Sequence, residues 1–72
     1  MNDFSLEAMK FLKEKRLLLG MSQAEVANLI YGNPKCKDKI SKLENGKNNL
    51  SMKTLEKYLK IFNCEFNYFK EK

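Results

Sequence analysis

The 72-residue chain contains no histidine. Histidine is the commonest general base, the usual partner of a catalytic serine or cysteine, and the commonest metal ligand in proteins. Two isolated cysteines, Cys36 and Cys64, are a poor basis for a zinc site. The composition therefore argues against catalysis, and we expect a protein that is not an enzyme and uses no cofactor and no metal.

Cysteine is scarce, and long apolar runs are missing. A secreted domain of this size usually carries a denser set of disulfides, so free thiols in a reducing cytoplasm are the better interpretation of the two cysteines. No apolar run approaches the ~20 residues that span a membrane. The N-terminal MNDFSLEAMK lacks the basic start and apolar stretch of a secretory signal. These features predict a cytoplasmic protein.

What the chain does contain is an excess of positive charge and enough apolar residues for one small core. It has 14 basic residues against 9 acidic ones, a formal net charge of +5, and 43% hydrophobic residues. We therefore expect one domain over residues 1–72. A basic surface favours a polyanion or an acidic membrane as partner, without distinguishing between them.

Helical periodicity interrupted by turn residues runs along the first half of the chain. A first helix is predicted over residues 5–19, with Met9, Leu12, Arg16 and Leu19 on one face, and Gly20 suits the left-handed residue that closes it. Ser22 and Glu25 form a capping-box pattern at the start of a second helix. That helix has Val26, Ala27, Leu29 and Ile30 on its apolar side and ends at Gly32-Asn33-Pro34.

Helical periodicity interrupted by turn residues continues through the second half of the chain. A third helix is predicted to begin between Asn33 and Lys37, with Cys36, Ile40 and Leu43 facing inward. A fourth follows Ser51, with Met52, Leu55, Leu59 and Phe62 on one face and Asn63 as its C-terminal cap. A last short helix is predicted from about Glu65. No alternating strand pattern occurs, so the sequence predicts an all-α fold.

Several motifs in fixed order carry a family resemblance. They are Arg16 four residues before Gly20, the Gly20-Met21-Ser22-Gln23 junction, Val26-Ala27, and Ile40-Ser41-Lys42-Leu43-Glu44-Asn45-Gly46-Lys47. Together they resemble the helix-turn-helix domain of the phage repressor and Cro type, also called the xenobiotic response element family, from about Leu12 to Phe69. The resemblance implies a compact, lambda-repressor-like bundle of about five short helices. It also implies sequence-specific binding to double-stranded DNA, usually as a homodimer.

The resemblance assigns two groups of DNA contacts. The positions that face the major groove are Lys37, Asp38, Ser41 and Lys42. The positions that contact phosphate are Gln23, Lys35, Asn45, Lys47 and Asn48. Lysine can donate to guanine O6 and N7, and aspartate can accept from cytosine N4. The alternatives are an Asp38–Lys42 pair on the helix surface and ordinary solvated polar residues at the phosphate positions.

The resemblance also assigns Arg16 and Glu44 to a structural ion pair between the first and third helices, which accounts for an arginine on an apolar face. The alternative is that Arg16 reaches a phosphate. Cys36 is interpreted as a small core residue, with a redox role as the alternative. The aromatic residues near the C-terminus exceed what a small core can bury, which predicts a dimer interface. They are Phe62, Phe66, Tyr68 and Phe69.

One feature departs from the family pattern. The link between the second helix and Ile40 is about three residues longer than is common, with the extra residues around 31–35. Either the turn is longer or one of the two helices gains nearly a turn. The choice decides where the third helix begins, and with it the roles of Lys35, Cys36 and Lys37.

Taken together, these features predict a DNA-binding transcriptional regulator, most consistent with a repressor. It would act by its concentration, by occupying a promoter, or through a partner protein. The alternative is a protein-interaction module of the same fold, such as an antitoxin, with DNA binding secondary. Residues 35–47 hold five lysines against Asp38 and Glu44, which argues against that alternative. A membrane-surface peptide would need one long amphipathic helix, which the turn signals at Gly32 and Gly46 interrupt.

Overall fold

The computed structural model describes residues 3–63. In order, these form α1 (Asp3–Leu18), α2 (Gln23–Tyr31), a 3₁₀ turn (Pro34–Cys36), α3 (Lys37–Glu44) and α4 (Met52–Ile61). No strand occurs in this part of the chain, so the predicted all-α class is confirmed. No helix among these residues is long and apolar enough to cross a membrane. The last short helix predicted from about Glu65 lies outside the described residues.

The ends of α2 confirm the predicted start and stop signals. Ser22 accepts a hydrogen bond from the Glu25 backbone amide through its side chain, and the Glu25 carboxylate accepts one from the Ser22 amide. This reciprocal pair satisfies two donors that a helix start otherwise leaves open. Gly20, with φ of 71°, closes the turn after α1, and Gly32, with φ of 76°, closes α2. Both glycines adopt the left-handed conformation that side chains resist.

The core is built from one face of each helix. Its buried hydrophobic members are Ala8, Met9, Leu12, Val26, Ala27, Ile30, Ile40, Leu43, Leu50, Leu55, Tyr58, Leu59 and Phe62. Three residues predicted on apolar faces are exposed instead: Leu19, Leu29 and Met52. Leu29 lies about 100° around the helix from its neighbour Ile30, which takes it off the buried face. Leu19 follows the last residue of α1, and Met52 is the first residue of α4.

The extra residues between α2 and α3 lengthen the turn rather than either helix. After Gly32, the Asn33 side-chain oxygen accepts from the Lys35 amide at 2.9 Å, and Pro34 opens a single 3₁₀ turn. Asn33 therefore caps a short helix, as its sequence context predicts, but that helix is the 3₁₀ turn and not α3. Consequently Lys35 lies in the turn, while Lys37 is the first residue of α3.

Tyr58 of α4 is the largest fully buried side chain among residues 3–63. Its ring lies 5.7 Å from that of Phe62, and its hydroxyl has no hydrogen-bond partner among residues 3–63. Burial raises the pKa of this phenol above its ordinary value, and the nearby Glu44 carboxylate adds to the effect. The fold therefore holds Tyr58 in its neutral form.

Replacing Tyr58 by phenylalanine should not destabilise the protein at neutral pH. The change keeps the buried ring and removes an unpaired hydroxyl whose desolvation costs about 1–3 kcal/mol. In the unfolded wild type this phenol loses its proton above a pH of about 10, whereas the folded form retains it. Wild-type stability should therefore fall as the pH rises above that value, and the variant should lose less.

Urea unfolding of both proteins at neutral pH and at a pH of about 11 measures this difference. A variant that is clearly less stable than wild type at neutral pH would mean that the hydroxyl has a partner.

Candidate nucleic-acid interface

A buried carboxylate joins three helices at one end of the molecule. Arg16 donates to Glu44 through Nε at 2.8 Å and through Nη2 at 3.0 Å, a two-point contact between α1 and α3. Its Nη1 donates to the backbone oxygen of Met21 at 2.7 Å. The two charged side chains are 8% and 1% exposed. All three guanidinium nitrogens of Arg16 donate to protein atoms. The structure therefore favours the ion pair over the alternative, in which Arg16 contacts a phosphate.

Gln23, the first residue of α2, joins the same carboxylate. Its side-chain Nε2 donates to Glu44 Oε1 at 3.0 Å. One amide hydrogen of Gln23 is thereby used, while the second hydrogen and the amide oxygen remain for another partner. The Glu25 backbone amide donates to the Ser22 hydroxyl. The backbone amides of Gln23 and Ala24 therefore remain for an external acceptor. The start of α2 thus keeps the donors that an anion needs.

The outer face of α3 carries the positions assigned to base reading. Asp38 and Lys42 are exposed, four residues apart and opposite the buried Ile40. Lys37 is exposed beside them, and Ser41 is half-buried. Among residues 3–63, the ion pair is the one between Arg16 and Glu44. Asp38 and Lys42 are not paired with each other. Both charges are therefore available to an outside partner.

In the turn after α3, a residue assigned to phosphate contact, Asn45, bonds to a residue assigned to base reading, Ser41. The Asn45 side-chain nitrogen donates to the Ser41 hydroxyl at 3.2 Å. The amides of Lys47 and Asn48 donate to the Lys42 backbone oxygen at 2.8 and 3.4 Å. These bonds satisfy a carbonyl at the end of the helix and hold the turn against it. The side chains of Asn45, Lys47 and Asn48 are exposed beyond the end of α3, as is that of Lys35 before its start.

Sequence reasoning missed a second group of contacts at the end of α2. The Lys39 ammonium lies over the Tyr31 ring, 4.9 Å from its centre. The Tyr31 hydroxyl interacts with the Thr54 side chain of α4. Lys57 donates to the Ile30 backbone oxygen at 3.2 Å. These partners are separated by a turn or a whole helix, so no periodicity in the sequence signals them.

The aromatic cluster predicted as a dimer interface is only partly described, and one member needs correction. Phe62 is 4% exposed and belongs to the core of its own chain, so its ring is not on a free surface. It follows the last turn of α4 on the same side as Leu55 and Leu59, which accounts for its burial. Phe66, Tyr68 and Phe69 lie outside the described residues.

Cys36 is half-buried at the start of α3 and packs against the core, as the small-core-residue interpretation predicts. Its thiol is free. Among residues 3–63, no three histidine, cysteine, aspartate or glutamate side chains cluster as metal ligands.

Comparison with known protein families gives a match over the second half of the chain. Residues 39–69 match the family model HTH_3, described as Helix-turn-helix. The match begins inside α3, so α2 and the long turn precede it. It confirms the resemblance found in the sequence and implies a lambda-repressor-like fold. Neither a curated protein nor a solved structure matches the chain.

Proposed function

We propose that this chain, which carries a helix-turn-helix domain of the Cro/C1 type at residues 39–69, represses transcription by binding an operator as a homodimer. A domain of this type indicates a DNA-binding transcriptional regulator and is typical of regulators that are not enzymes. The observation that carries the proposal is the outer face of α3, where exposed charged side chains stand opposite the core without an ion-pair partner among residues 3–63. We place this activity in the cytoplasm.

In this proposal α3 enters the major groove and reads bases. Lys42 donates to guanine O6 or N7, with Lys37 at the flank. Asp38 accepts from cytosine N4, and Ser41 makes a permissive contact whose hydroxyl is oriented by Asn45. The exposure of Asp38 and Lys42 supports these roles, because neither charge forms an ion pair within the described part of the chain.

Phosphate contacts flank the recognition helix on both sides. At the start of α2, the free amides and the remaining side-chain hydrogen of Gln23 meet one phosphate. Lys35 in the long turn, and Asn45, Lys47 and Asn48 after α3, meet others. These contacts fix the position of the protein on the duplex and supply most of its sequence-independent affinity.

The Glu44 carboxylate links the two kinds of contact. It accepts from Gln23 at the phosphate-binding end of α2 and is itself the last residue of the recognition helix. Arg16 of α1 neutralises the negative charge of Glu44. The phosphate-binding start of α2 and the base-reading helix α3 therefore keep a fixed relative position. A phosphate contact on α2 then determines where α3 lies in the groove.

A single bundle presents one recognition helix, and a homodimer presents two. A two-fold dimer places them roughly 34–36 Å apart, about one helical turn of B-DNA. Phe66, Tyr68 and Phe69 remain our candidates for the dimer surface. Two bound helices would cover a promoter and exclude the transcription machinery, which is the sense in which we propose repression.

Selection of bound sites from random duplexes at two salt concentrations tests this function. The recovered sites should be inverted repeats with half-site centres about 10 base pairs apart. Affinity for random duplexes should fall steeply with salt, while selected sites retain a large advantage. A single asymmetric motif bound by one chain would remove the dimer. Failure to enrich any sequence would favour the protein-interaction alternative.

A further inference from the structure

Lys39 is the one lysine of residues 35–47 whose ammonium lies over an aromatic ring, although its side chain is exposed. It lies on α3, about a quarter turn from the outward Asp38 and Lys42, on the side that faces the end of α2. There its ammonium sits 4.9 Å from the centre of the Tyr31 ring. A cation at this distance over an aromatic face is attracted by the negative potential of the ring. The contact joins the last residue of α2 to the first turn of the recognition helix.

The partner of Lys39 is itself held by α4. Burial raises the pKa of the Tyr31 phenol and a side-chain hydrogen bond with Thr54 partly offsets the rise, while Thr54 is itself bound to the Ser51 cap through its amide and hydroxyl. One residue earlier, the Ile30 carbonyl accepts from Lys57 of α4. Lys57 also supplies the positive charge that favours a helix C-terminus, which α2 lacks in its own last turn. The end of α2 is thus fixed on α4 before α3 begins.

We propose that Tyr31, Lys39, Thr54 and Lys57 form a positioning clamp that sets the angle of the recognition helix to α2, and that Lys39 contributes to sequence discrimination without touching DNA. This inference rests on the proposed function. Its physical basis is the placement of the contacts: the Gln23–Glu44 bond holds the first residue of α2, and the Lys39–Tyr31 contact holds the last one, on the other side of their shared core.

The clamp separates the five lysines around α3 into two classes. Lys35, Lys37, Lys42 and Lys47 are exposed and add to the positive surface that meets the duplex. Lys39 is exposed as well, but its ammonium lies over the Tyr31 ring. Removing Lys39 therefore leaves phosphate neutralisation intact and allows α3 to sample other angles. The preference for the selected site over random duplexes can fall by no more than the free energy that the Lys39–Tyr31 contact contributes.

The first arm of the test measures binding. Lys39→Met should weaken affinity for the selected site about two- to fivefold, the worth of one exposed cation–π contact. Affinity for random duplexes and the salt slope should not change. Lys39→Arg, which keeps a cation over the ring, should restore discrimination. Lys53→Met, at an exposed lysine of α4 outside the site, is the matched control for the lost charge.

The second arm needs no DNA. A double-mutant cycle with Tyr31→Leu and Lys39→Met in urea unfolding should show a coupling of about two- to fivefold in the unfolding equilibrium constant. Tyr31→Phe, which keeps the ring, should preserve the coupling to Lys39. Additive losses would overturn the clamp.

The outcomes also distinguish this inference from the function on which it rests. If the wild type selects no duplex, the proposed function fails. If the wild type is selective and Lys39→Met behaves as Lys53→Met, only the clamp is overturned. A salt slope that falls by about one unit per chain would make Lys39 a phosphate contact, which also overturns it.

Discussion

Replacing Glu44 by alanine should lower the free energy of unfolding by about 3–5 kcal/mol, because it strands a buried arginine. The Glu44 side chain is 1% exposed and accepts from Arg16 and from Gln23. Without it the guanidinium keeps its bond to the Met21 oxygen but loses its counter-charge while its side chain is largely buried. Urea unfolding at neutral pH measures the loss.

Arg16→Ala should cost a similar amount, since it leaves the carboxylate buried without its partner. The double variant should lose clearly less than the sum, because neither charge is then stranded. Glu56→Ala, at an exposed glutamate of α4, is the control and should change stability by about 0.5 kcal/mol or less. Additive losses would show that the two residues act independently.

The second large effect concerns DNA reading. Lys42→Ala should cost about 1–3 kcal/mol on the selected site and relax selection at one G·C pair in each half-site, because its ammonium is exposed opposite the core. Binding to random duplexes should change little. Site selection repeated with the variant, followed by titrations on the preferred and random duplexes, measures both quantities.

Lys47→Ala provides the comparison, since it removes the same charge just beyond the end of the same helix. It should weaken binding to selected and random duplexes alike and make the salt slope shallower by about one unit for each lost contact in each bound chain. If Lys42→Ala instead weakens all sequences equally, Lys42 contacts phosphate and α3 is rotated about its axis relative to our proposal. An unchanged slope for Lys47→Ala would remove Lys47 from the phosphate contacts.

Local signals predicted most of the helix boundaries. The capping box at Ser22 and the left-handed residues Gly20 and Gly32 depend on neighbours within one turn, which is why the sequence shows them directly. Asn63, predicted as the cap of α4, likewise adopts a left-handed φ of 56° just after that helix. The family resemblance supplied the Arg16–Glu44 pair, whose members are 28 residues apart and share no local pattern.

Other features depend on packing that a sequence pattern does not contain. The length of the link before α3 did not distinguish a longer turn from a longer helix, and hydrogen bonding around Asn33 decides it. An excess of aromatics suggested a free surface at Phe62, but the core has room for that ring. Lys39 belongs to a lysine-rich stretch, and only the position of Tyr31 separates it from its neighbours.

The long turn has a consequence for how such a domain diverges. α2 and α3 are joined by their shared core, by Glu44 and Gln23, and by Lys39 over Tyr31, and of residues 32–36 Cys36 alone packs against that core. Lengthening a loop at the surface costs only about 0.6 kcal/mol for each doubling of its length. Insertions can therefore accumulate at this position during evolution, or be grafted there by design, and add exposed side chains such as Lys35 without rebuilding the scaffold.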